Sequence, residues 1–189
     1  MENNDNSRLI FVVEDNEMFA LTVKAGLMAN KEQDAPKTTV EVFHTGEDML
    51  VRLNEKDTTP DVVILDFFLN SKVPEAKDGD EILKEFRYYY KNKKLSAPPV
   101  IMLTASKDVN SAVSLLKKGA VDYIIKDGPV NDNLKKSIDK VIVYRRLKEE
   151  SKENKKKADR YKKSLVISLS IVGVVVAALV YILIRYLPK

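Results

Sequence analysis

Short apolar runs alternate with longer amphipathic stretches through the first three quarters of the chain. The apolar runs are Leu9–Val13, Thr39–Phe43, Val62–Leu65, Val100–Leu103 and Tyr123–Ile125. They show little polar alternation, which is typical of strands buried on both faces of a parallel sheet. The helical stretches are Met18–Met28, Glu47–Leu53, Glu81–Tyr90, Val109–Lys118, which ends at Gly119 as a C′ residue, and a stretch from about Asn131. The pattern predicts an α/β fold, a five-stranded parallel sheet that is doubly wound in the flavodoxin-like manner.

The end of the chain has a different pattern. Twenty consecutive residues, from Leu165 to Ile184, carry no charge. As a helix they would span roughly 30 Å, the hydrocarbon thickness of a bilayer. A buried helix of a soluble protein is the alternative, but it would need a large protein around it. We therefore expect one transmembrane helix at residues 164–187, in contact with the lipid bilayer through residues 165–184.

Charges beside this apolar run predict its orientation. Seven Lys or Arg residues lie between positions 152 and 163, and only Arg185 and Lys189 follow the run. The positive-inside bias then predicts a single-pass protein of the cytoplasmic membrane, with its folded domain on the cytoplasmic side. We expect no sensing domain on the other side of the membrane. Gly173 and Ala177 would let two such helices approach closely, so a homodimer is an open alternative to a monomer.

Charge is divided unevenly along the chain. Residues 1–146 contain 22 Lys or Arg and 24 Asp or Glu, a net charge of −2, whereas residues 147–189 contain 10 and 4, a net charge of +6. A nearly neutral folded part argues against a nucleic-acid partner. The absence of cysteine excludes disulfides and thiolate metal sites. We expect a folded domain at residues 7–146 and, at 147–163, either a charged linker or a helical stalk, which the sequence does not distinguish.

Polar residues follow four of the predicted strands. They are Glu14 and Asp15, then Asp66, then Thr104, then Lys126. Any one of them is ordinary at a strand end, but parallel strands bring their carboxyl ends to one edge of the sheet, where functional groups gather. Carboxylates are ligands that suit Mg²⁺, and a carboxylate can also act as a nucleophile toward phosphorus. The combination favours a phosphoryl-transfer site with Mg²⁺ as cofactor.

The motifs at these strand ends resemble those of the receiver domain of two-component response regulators. They are FVVEDN, VVILD, IMLTAS and DYIIK, and the resemblance covers residues 7–146. It implies that Asp66 accepts a phosphoryl group from a sensor histidine kinase or a histidine phosphotransfer protein. It also implies a phosphoprotein that signals through a downstream protein, which the sequence does not identify. Self-phosphorylation and self-dephosphorylation with magnesium would be its only chemistry, so we do not expect an enzyme.

The same resemblance implies roles for the residues around Asp66. The ligands of Mg²⁺ would be Glu14, Asp15, Asp66 and Phe68, the last through its backbone carbonyl. Thr104 and Lys126 would contact the phosphoryl group, and Thr104 and Tyr123 would form the conformational switch. A half-buried strand aromatic is the alternative interpretation of Tyr123.

The sequence departs from the family pattern in two places. Asp66 and Gly79 are 13 positions apart, about five more than is usual, so the loop at Asn70–Gly79 is extended and should overhang the site. Asp127 stands where the family typically has a proline after a cis bond. A cis bond before another residue costs about 3 kcal/mol, which leaves the backbone after Lys126 open. Neither change removes a proposed catalytic group, so we expect a competent receiver.

Two other functions compete with this one. A magnesium-dependent phosphatase with an Asp nucleophile would need a second Asp two residues later, where this chain has Phe68, which cannot transfer a proton. A phosphate-independent membrane-tethered scaffold with a receiver fold is the stronger alternative. It would tolerate Asp66→Asn, whereas a signalling receiver would not.

Overall fold

The computed structural model describes residues 7–29, 37–55, 58–71 and 73–186. Five strands and five helices lie within these ranges. In chain order they are β1 Ser7–Val13, α1 Glu17–Met28, β2 Lys37–Phe43, α2 Gly46–Glu55, β3 Val62–Asp66, α3 Gly79–Asn92, β4 Val100–Thr104, α4 Val109–Lys117, β5 Asp122–Ile125 and α5 Val130–Tyr186. Every predicted strand is confirmed, and the first four predicted helices differ from the observed ones by no more than two residues at either end.

All strands run parallel, in the order β2-β1-β3-β4-β5. The prediction of a five-stranded parallel sheet is therefore confirmed. The strand order reverses direction between β1 and β3, because the chain moves to one side of β1 for β2 and to the other side for β3. In open α/β sheets, ligands bind beside the carboxyl ends of the strands at such a point.

Helices cover both faces of the sheet, because alternate residues of each strand point to opposite sides. Phe11 of β1 belongs to one core, whereas its neighbour Ile10 belongs to the other. The helical residues packed in the first core include Met49, Phe86 and Leu115, from α2, α3 and α4. Those in the second include Val23, Leu134 and Ile138, from α1 and the first turns of α5. This two-sided packing is the doubly wound arrangement that the strand composition predicts.

Two helix ends show how local sequence sets the loops between elements. The side chain of Asn16 accepts a hydrogen bond from the amide of Phe19 at 3.1 Å and so caps α1 directly after Asp15. Gly119 has a φ of +109° after α4, and its amide donates to the carbonyl of Leu116 at 3.1 Å. The predicted role of Gly119 as a C′ residue is confirmed.

The chain divides into two compact units, one up to Val143 and the other from Tyr144. Within the second unit, residues 144–186 are helical, including the charged segment 147–163. All side chains from 146 to 185 are exposed. By length and composition, α5 is long and apolar enough to cross a membrane. Residue 187, where the predicted span ends, lies outside the described residues.

Candidate functional site

The register of the strands brings the predicted residues to one edge of the sheet. Val13 pairs with Leu65 between β1 and β3, so Glu14 and Asp66 are the next residues on two adjacent strands. Thr104 pairs with Ile125 between β4 and β5, so Lys126 follows directly beside Thr104. The carboxyl ends of β1, β3, β4 and β5 thus carry all the strand-end residues that the sequence predicts.

Three carboxylates form an acidic cluster at this edge. Glu14, Asp15 and Asp66 can each bring one oxygen within 4.8 Å of the others. Their exposed fractions are 0%, 4% and 2%. Because buried carboxylates repel one another and are poorly solvated, such a cluster needs a cation.

Within the part of the chain that the structure describes, Lys126 supplies a cation to the cluster. Its Nζ lies 2.8 Å from Oε2 of Glu14 and 2.7 Å from Oδ2 of Asp66. It also lies 4.8 Å from the centre of the Phe19 ring, a cation–π contact that sequence reasoning missed. The amide of Lys126 donates to the carbonyl of Thr104 at 2.7 Å, which holds the start of the loop after β5. One ammonium group therefore bridges two of the three carboxylates.

Burial destabilises the ionised forms of Glu14 and Asp66 more than Lys126 stabilises them. It raises the pKa of Glu14 to about 7, and the charge of Asp66 adds to this rise, whereas Lys126 opposes it. Burial also raises the pKa of Asp66, against the lowering effects of Lys126 and of the amides of Phe68 and Phe67. A second cation at the cluster would relieve this desolvation and favour the ionised carboxylates.

The cluster fits a magnesium ion. Oδ1 of Asp66 is buried and has no hydrogen-bond partner among the residues that the structure describes. An unsatisfied buried carboxylate oxygen is costly unless a partner such as a metal ion contacts it. Hard oxygen donors from one or two carboxylates are the usual protein ligands of Mg²⁺, which keeps several of its waters. Asp66 and its two acidic neighbours offer that donor set.

The extended loop contributes a residue that sequence reasoning missed. Ser71 donates its amide N–H to Oδ2 of Asp15 at 3.1 Å, and its hydroxyl donates to the same oxygen. The only signal in the sequence was the length of the loop, which predicted that it overhangs the site without saying which residue touches it.

The base of the same loop is closed by the backbone. The amide of Gly79 donates to the carbonyl of Phe67 at 2.9 Å. A Cβ atom added to Gly79 would lie 1.9 Å from the carbonyl oxygen of Asp66, so only glycine fits this close approach. The end of the extended loop is therefore held directly beside Asp66.

The remaining predicted residues lie around the cluster. Thr104 is buried at the end of β4, and its Oγ1 accepts a hydrogen bond from the amide of Ser106 at 3.0 Å. The side chain of Phe68 is 48% exposed. Tyr123 is half-buried, lies beside Met102 in the sheet register and packs against the core that contains Phe11.

Asp127, and not a proline, follows Lys126, and the Lys126 side chain still contacts the acidic cluster. There is no cis peptide bond among the described residues, so the bond between Lys126 and Asp127 is trans. The amide of Asp127 donates to the carbonyl of Ile125 at 2.7 Å, and its carboxylate pairs with Lys107 at 2.7 Å. A trans bond is thus compatible with the double contact of the Lys126 ammonium.

Comparison with known families decides the identity of the domain. The family sequence model of the response regulator receiver domain matches residues 10–139, which is more than half of the chain. This chain belongs to the response regulator receiver family. Receiver domains are phosphoacceptor signalling domains of two-component systems, bind Mg²⁺ at an acidic pocket and interact with histidine kinases or phosphotransfer proteins. In this receiver the acidic cluster is Glu14, Asp15 and Asp66.

Curated relatives of the receiver include longer regulators. The phosphate regulon transcriptional regulatory protein PhoB of Rhizobium meliloti is 31% identical over 117 residues, which are 62% of this chain and 44% of PhoB. The regulatory protein AtoC of Escherichia coli is 41% identical over 70 residues, 37% of this chain and 13% of AtoC. The chain thus spans less than half the length of these two relatives.

Solved structures show the same fold. The receiver domain of the Francisella response regulator 1452 is 23% identical, with a TM-score of 0.58, over 73% of this chain and 98% of that domain. The Mn²⁺-bound form of the response regulator Rcp1 is 21% identical, with a TM-score of 0.52, over 69% of this chain and 88% of Rcp1.

Proposed function

We propose that this chain is a membrane-anchored response regulator that accepts a phosphoryl group on Asp66 from a histidine kinase or a histidine phosphotransfer protein. Phosphorylation would then change which downstream protein the receiver binds. One observation carries the proposal. Oδ2 of Asp66 is held by Lys126 at 2.7 Å, while Oδ1 has no hydrogen-bond partner among the described residues and lies within a buried acidic cluster.

The chemistry is nucleophilic attack by a carboxylate. An oxygen of Asp66 forms a bond to phosphorus, and the bond between phosphorus and the donor imidazole nitrogen breaks. The nitrogen keeps the electron pair, and Asp66 becomes an acyl phosphate. Lys126 and the hydroxyl of Thr104 would bind the oxygens of the transferred group, because positioned donors stabilise the charge that those oxygens carry in the transition state.

The magnesium ligands would be Asp15, Asp66 and Glu14, the last directly or through water, with the carbonyl of Phe68. Bound there, Mg²⁺ would neutralise charge on the phosphoryl oxygens. The fit of the acidic cluster and the existence of a metal-bound receiver fold in Rcp1 both support this assignment.

Thr104 and Tyr123 are our candidates for the conformational switch. Thr104 would move toward the phosphoryl group, and the ring of Tyr123 would turn inward to fill the space left behind. Tyr123 lies on β5, so its movement would alter the face built from α4, β5 and the first turns of α5. That face is where we expect the downstream protein to bind.

The membrane anchor of the proposal rests on residues 165–184. The hydroxyls of Ser168 and Ser170 donate to the carbonyls of Ser164 and Val166, at 3.0 and 2.8 Å. These bonds satisfy polar groups within the helix, as a lipid environment requires. The basic residues between 152 and 163 would lie at the anionic cytoplasmic surface.

Phosphate incorporation tests the receiver part of the proposal. The full chain in detergent micelles is incubated with Mg²⁺ and a small-molecule phosphodonor, as wild type, Asp66→Asn and Asp139→Asn. Asp139 is a matched control, because its exposed carboxylate pairs with Arg8 and lies outside the acidic cluster. We expect label in wild type and Asp139→Asn and none in Asp66→Asn. Equal label in all three would refute Asp66 as the acceptor, and no label in any folded variant would favour the phosphate-independent scaffold.

Membrane extraction tests the anchor separately. Membranes from expressing cells are washed with alkaline carbonate, which removes peripheral proteins. We expect the chain to stay in the membrane and a Val174→Arg/Val176→Arg variant, with two charges in the apolar run, to be released. Release of the wild type would show that residues 165–184 do not span the bilayer.

A further inference from the structure

The charged segment before the apolar run has a regular spacing of uncharged residues. Between positions 147 and 163, twelve residues are charged and only five are not. Ser164 is also uncharged but lies outside the series formed by these five residues and Leu165, the first residue of the apolar run. The series is Leu147, Ser151, Asn154, Ala158, Tyr161 and Leu165. Their separations alternate strictly between four and three positions. We call these six residues the uncharged stripe.

This alternation has a specific meaning in a helix. A mean spacing of 3.5 residues places the positions along one side of the helix and is the a/d repeat of left-handed coiled coils. The segment is helical in the structure, and the stripe is open to solvent. Leu147 is 57% exposed, Tyr161 69% and Leu165 43%. The stripe is therefore a face available to another helix.

We propose that the uncharged stripe pairs with the stripe of a second copy of this chain, as a parallel two-stranded coiled coil at the cytoplasmic surface of the membrane. This inference rests on the membrane span of the proposed function. It makes the receiver a dimer through its stalk, with or without phosphate on Asp66.

A second copy is the proposed partner because the same membrane span would fix the direction and depth of both chains. Two chains that cross the bilayer through the same residues run parallel, with each residue at the same depth as its counterpart. Position a then meets position a and position d meets position d, without a shift in register. Ser151 and Ala158 are small enough for helices to approach closely, and the amide of Asn154 can both donate to and accept from its counterpart. By this spacing Asn154 is a d position, where a pair of Asn side chains can satisfy each other at a cost in stability relative to an apolar pair.

Charges beside the seam make the pairing dependent on salt. Glu150 would face Lys155 of the second copy, an attractive pair, whereas Lys157 would face Lys162 of the second copy, a repulsive one. Residues 147–163 also carry eight Lys or Arg and four Asp or Glu, a net charge of +4 on each helix. Screening by salt, or by anionic lipid, should therefore strengthen the dimer.

The stripe defines a different contact from the small residues of the span. Continued into the apolar run with the same spacing, the series reaches Ser168, Val172 and Val175. Gly173 and Ala177 fall outside it. The two faces therefore predict different cross-links between copies.

Cysteine cross-linking distinguishes these cases cleanly, because the natural chain has no cysteine. Single Cys residues are introduced in the full chain at two stripe positions, Ser151→Cys and Ala158→Cys, and at two positions outside it, Lys152→Cys and Lys156→Cys. All four side chains are exposed, so the substitutions should leave the fold intact. In membranes treated with a mild oxidant, we expect several times more disulfide dimer from the stripe variants. Raised salt should increase that yield.

Three results would overturn the pairing. One is equal cross-linking from all four variants, another is stronger cross-linking at Lys152→Cys and Lys156→Cys, and the third is no dimer from any variant. Gly173→Cys serves as an additional probe, since more dimer from it than from Ala158→Cys would place the contact on the small-residue face. Carbonate extraction of the same membranes keeps the two proposals separate. Failure of cross-linking in membrane-integral protein refutes the coiled coil alone, whereas release from the membrane refutes the anchor as well.

Discussion

Ser71 donates two hydrogen bonds to one oxygen of Asp15, one from its amide and one from its hydroxyl. This contact ties the extended loop to a carboxylate of the acidic cluster. Because the oxygen lies where a magnesium ligand is expected, an arriving cation must share it with both donors or displace them. At the proposed magnesium site, the loop would therefore bear directly on metal binding, although it contributes no carboxylate to the cluster.

Removing the Ser71 hydroxyl should tighten magnesium binding. A typical hydrogen bond contributes about 1 kcal/mol net, so Ser71→Ala is expected to increase the affinity for Mg²⁺ by about fivefold. Isothermal titration calorimetry of the full chain in micelles measures the change without relying on phosphorylation. Ser137→Ala is a matched control, because its hydroxyl donates to Asp122 at 2.6 Å at the opposite end of the sheet. Weaker binding by Ser71→Ala would show that Ser71 supports the metal site instead of competing with it.

Gly79→Ala should damage the site through the backbone. A Cβ atom at this position would lie 1.9 Å from the carbonyl oxygen of Asp66, so either the loop or the end of β3 must shift. We expect a loss of about 2–3 kcal/mol in the free energy of unfolding and a large loss of phosphate incorporation. Gly128→Ala is the control, because among the described residues no atom beyond its chain neighbours lies within 4 Å of the added Cβ, and only its φ of +65° is unfavourable. Equal effects of the two substitutions on labelling would contradict the close approach to Asp66.

The metal-free receiver should lose stability as pH rises. Burial raises the pKa of Glu14 from 4.5 to about 7 in the folded state, so between these values the native state binds more protons than the unfolded state. The free energy of unfolding then falls with increasing pH across this window, by on the order of 3 kcal/mol from Glu14. The raised pKa of Asp66 acts in the same direction.

Urea unfolding in micelles with a chelator, at several pH values from 4.5 to 7.5, measures this fall. Glu14→Gln removes the titrating group, and we expect a flatter dependence on pH in that variant. Added Mg²⁺ should also flatten the dependence in wild type, because the cation favours the ionised carboxylates. An unchanged slope in Glu14→Gln would show that the burial of this carboxyl does not govern the stability of the domain.

The sheet and the convergence of the strand-end residues could be predicted because both follow from simple rules. Apolar runs buried on both faces indicate parallel strands, and parallel strands end at one edge, so Glu14, Asp66 and Lys126 had to lie close together. The contact of Ser71 with Asp15 could not be predicted, since it depends on how an extended loop folds back in space. The contact of Lys126 with the Phe19 ring was missed for a similar reason, because it joins a strand end to the first turns of α1.

The charged segment illustrates a different limit. Its net charge could be counted, but whether it was a linker or a helix depended on tertiary and membrane context that composition does not contain. Because residues 147–163 are helical, the spacing of Leu147, Ser151 and Asn154 places these three residues on one face of the helix. The same residues in a flexible linker would form no face.

Chemical trapping of the acyl phosphate tests the central claim most directly. Borohydride reduces an aspartyl phosphate to homoserine and leaves an unmodified aspartate intact, so peptide mass spectrometry can locate the modified position after treatment with phosphodonor and Mg²⁺. We predict homoserine at position 66 in wild type, and none when Mg²⁺ is removed by a chelator. Homoserine at Asp15 or at another aspartate, or none at any position in a folded and magnesium-loaded protein, would contradict phosphorylation of Asp66.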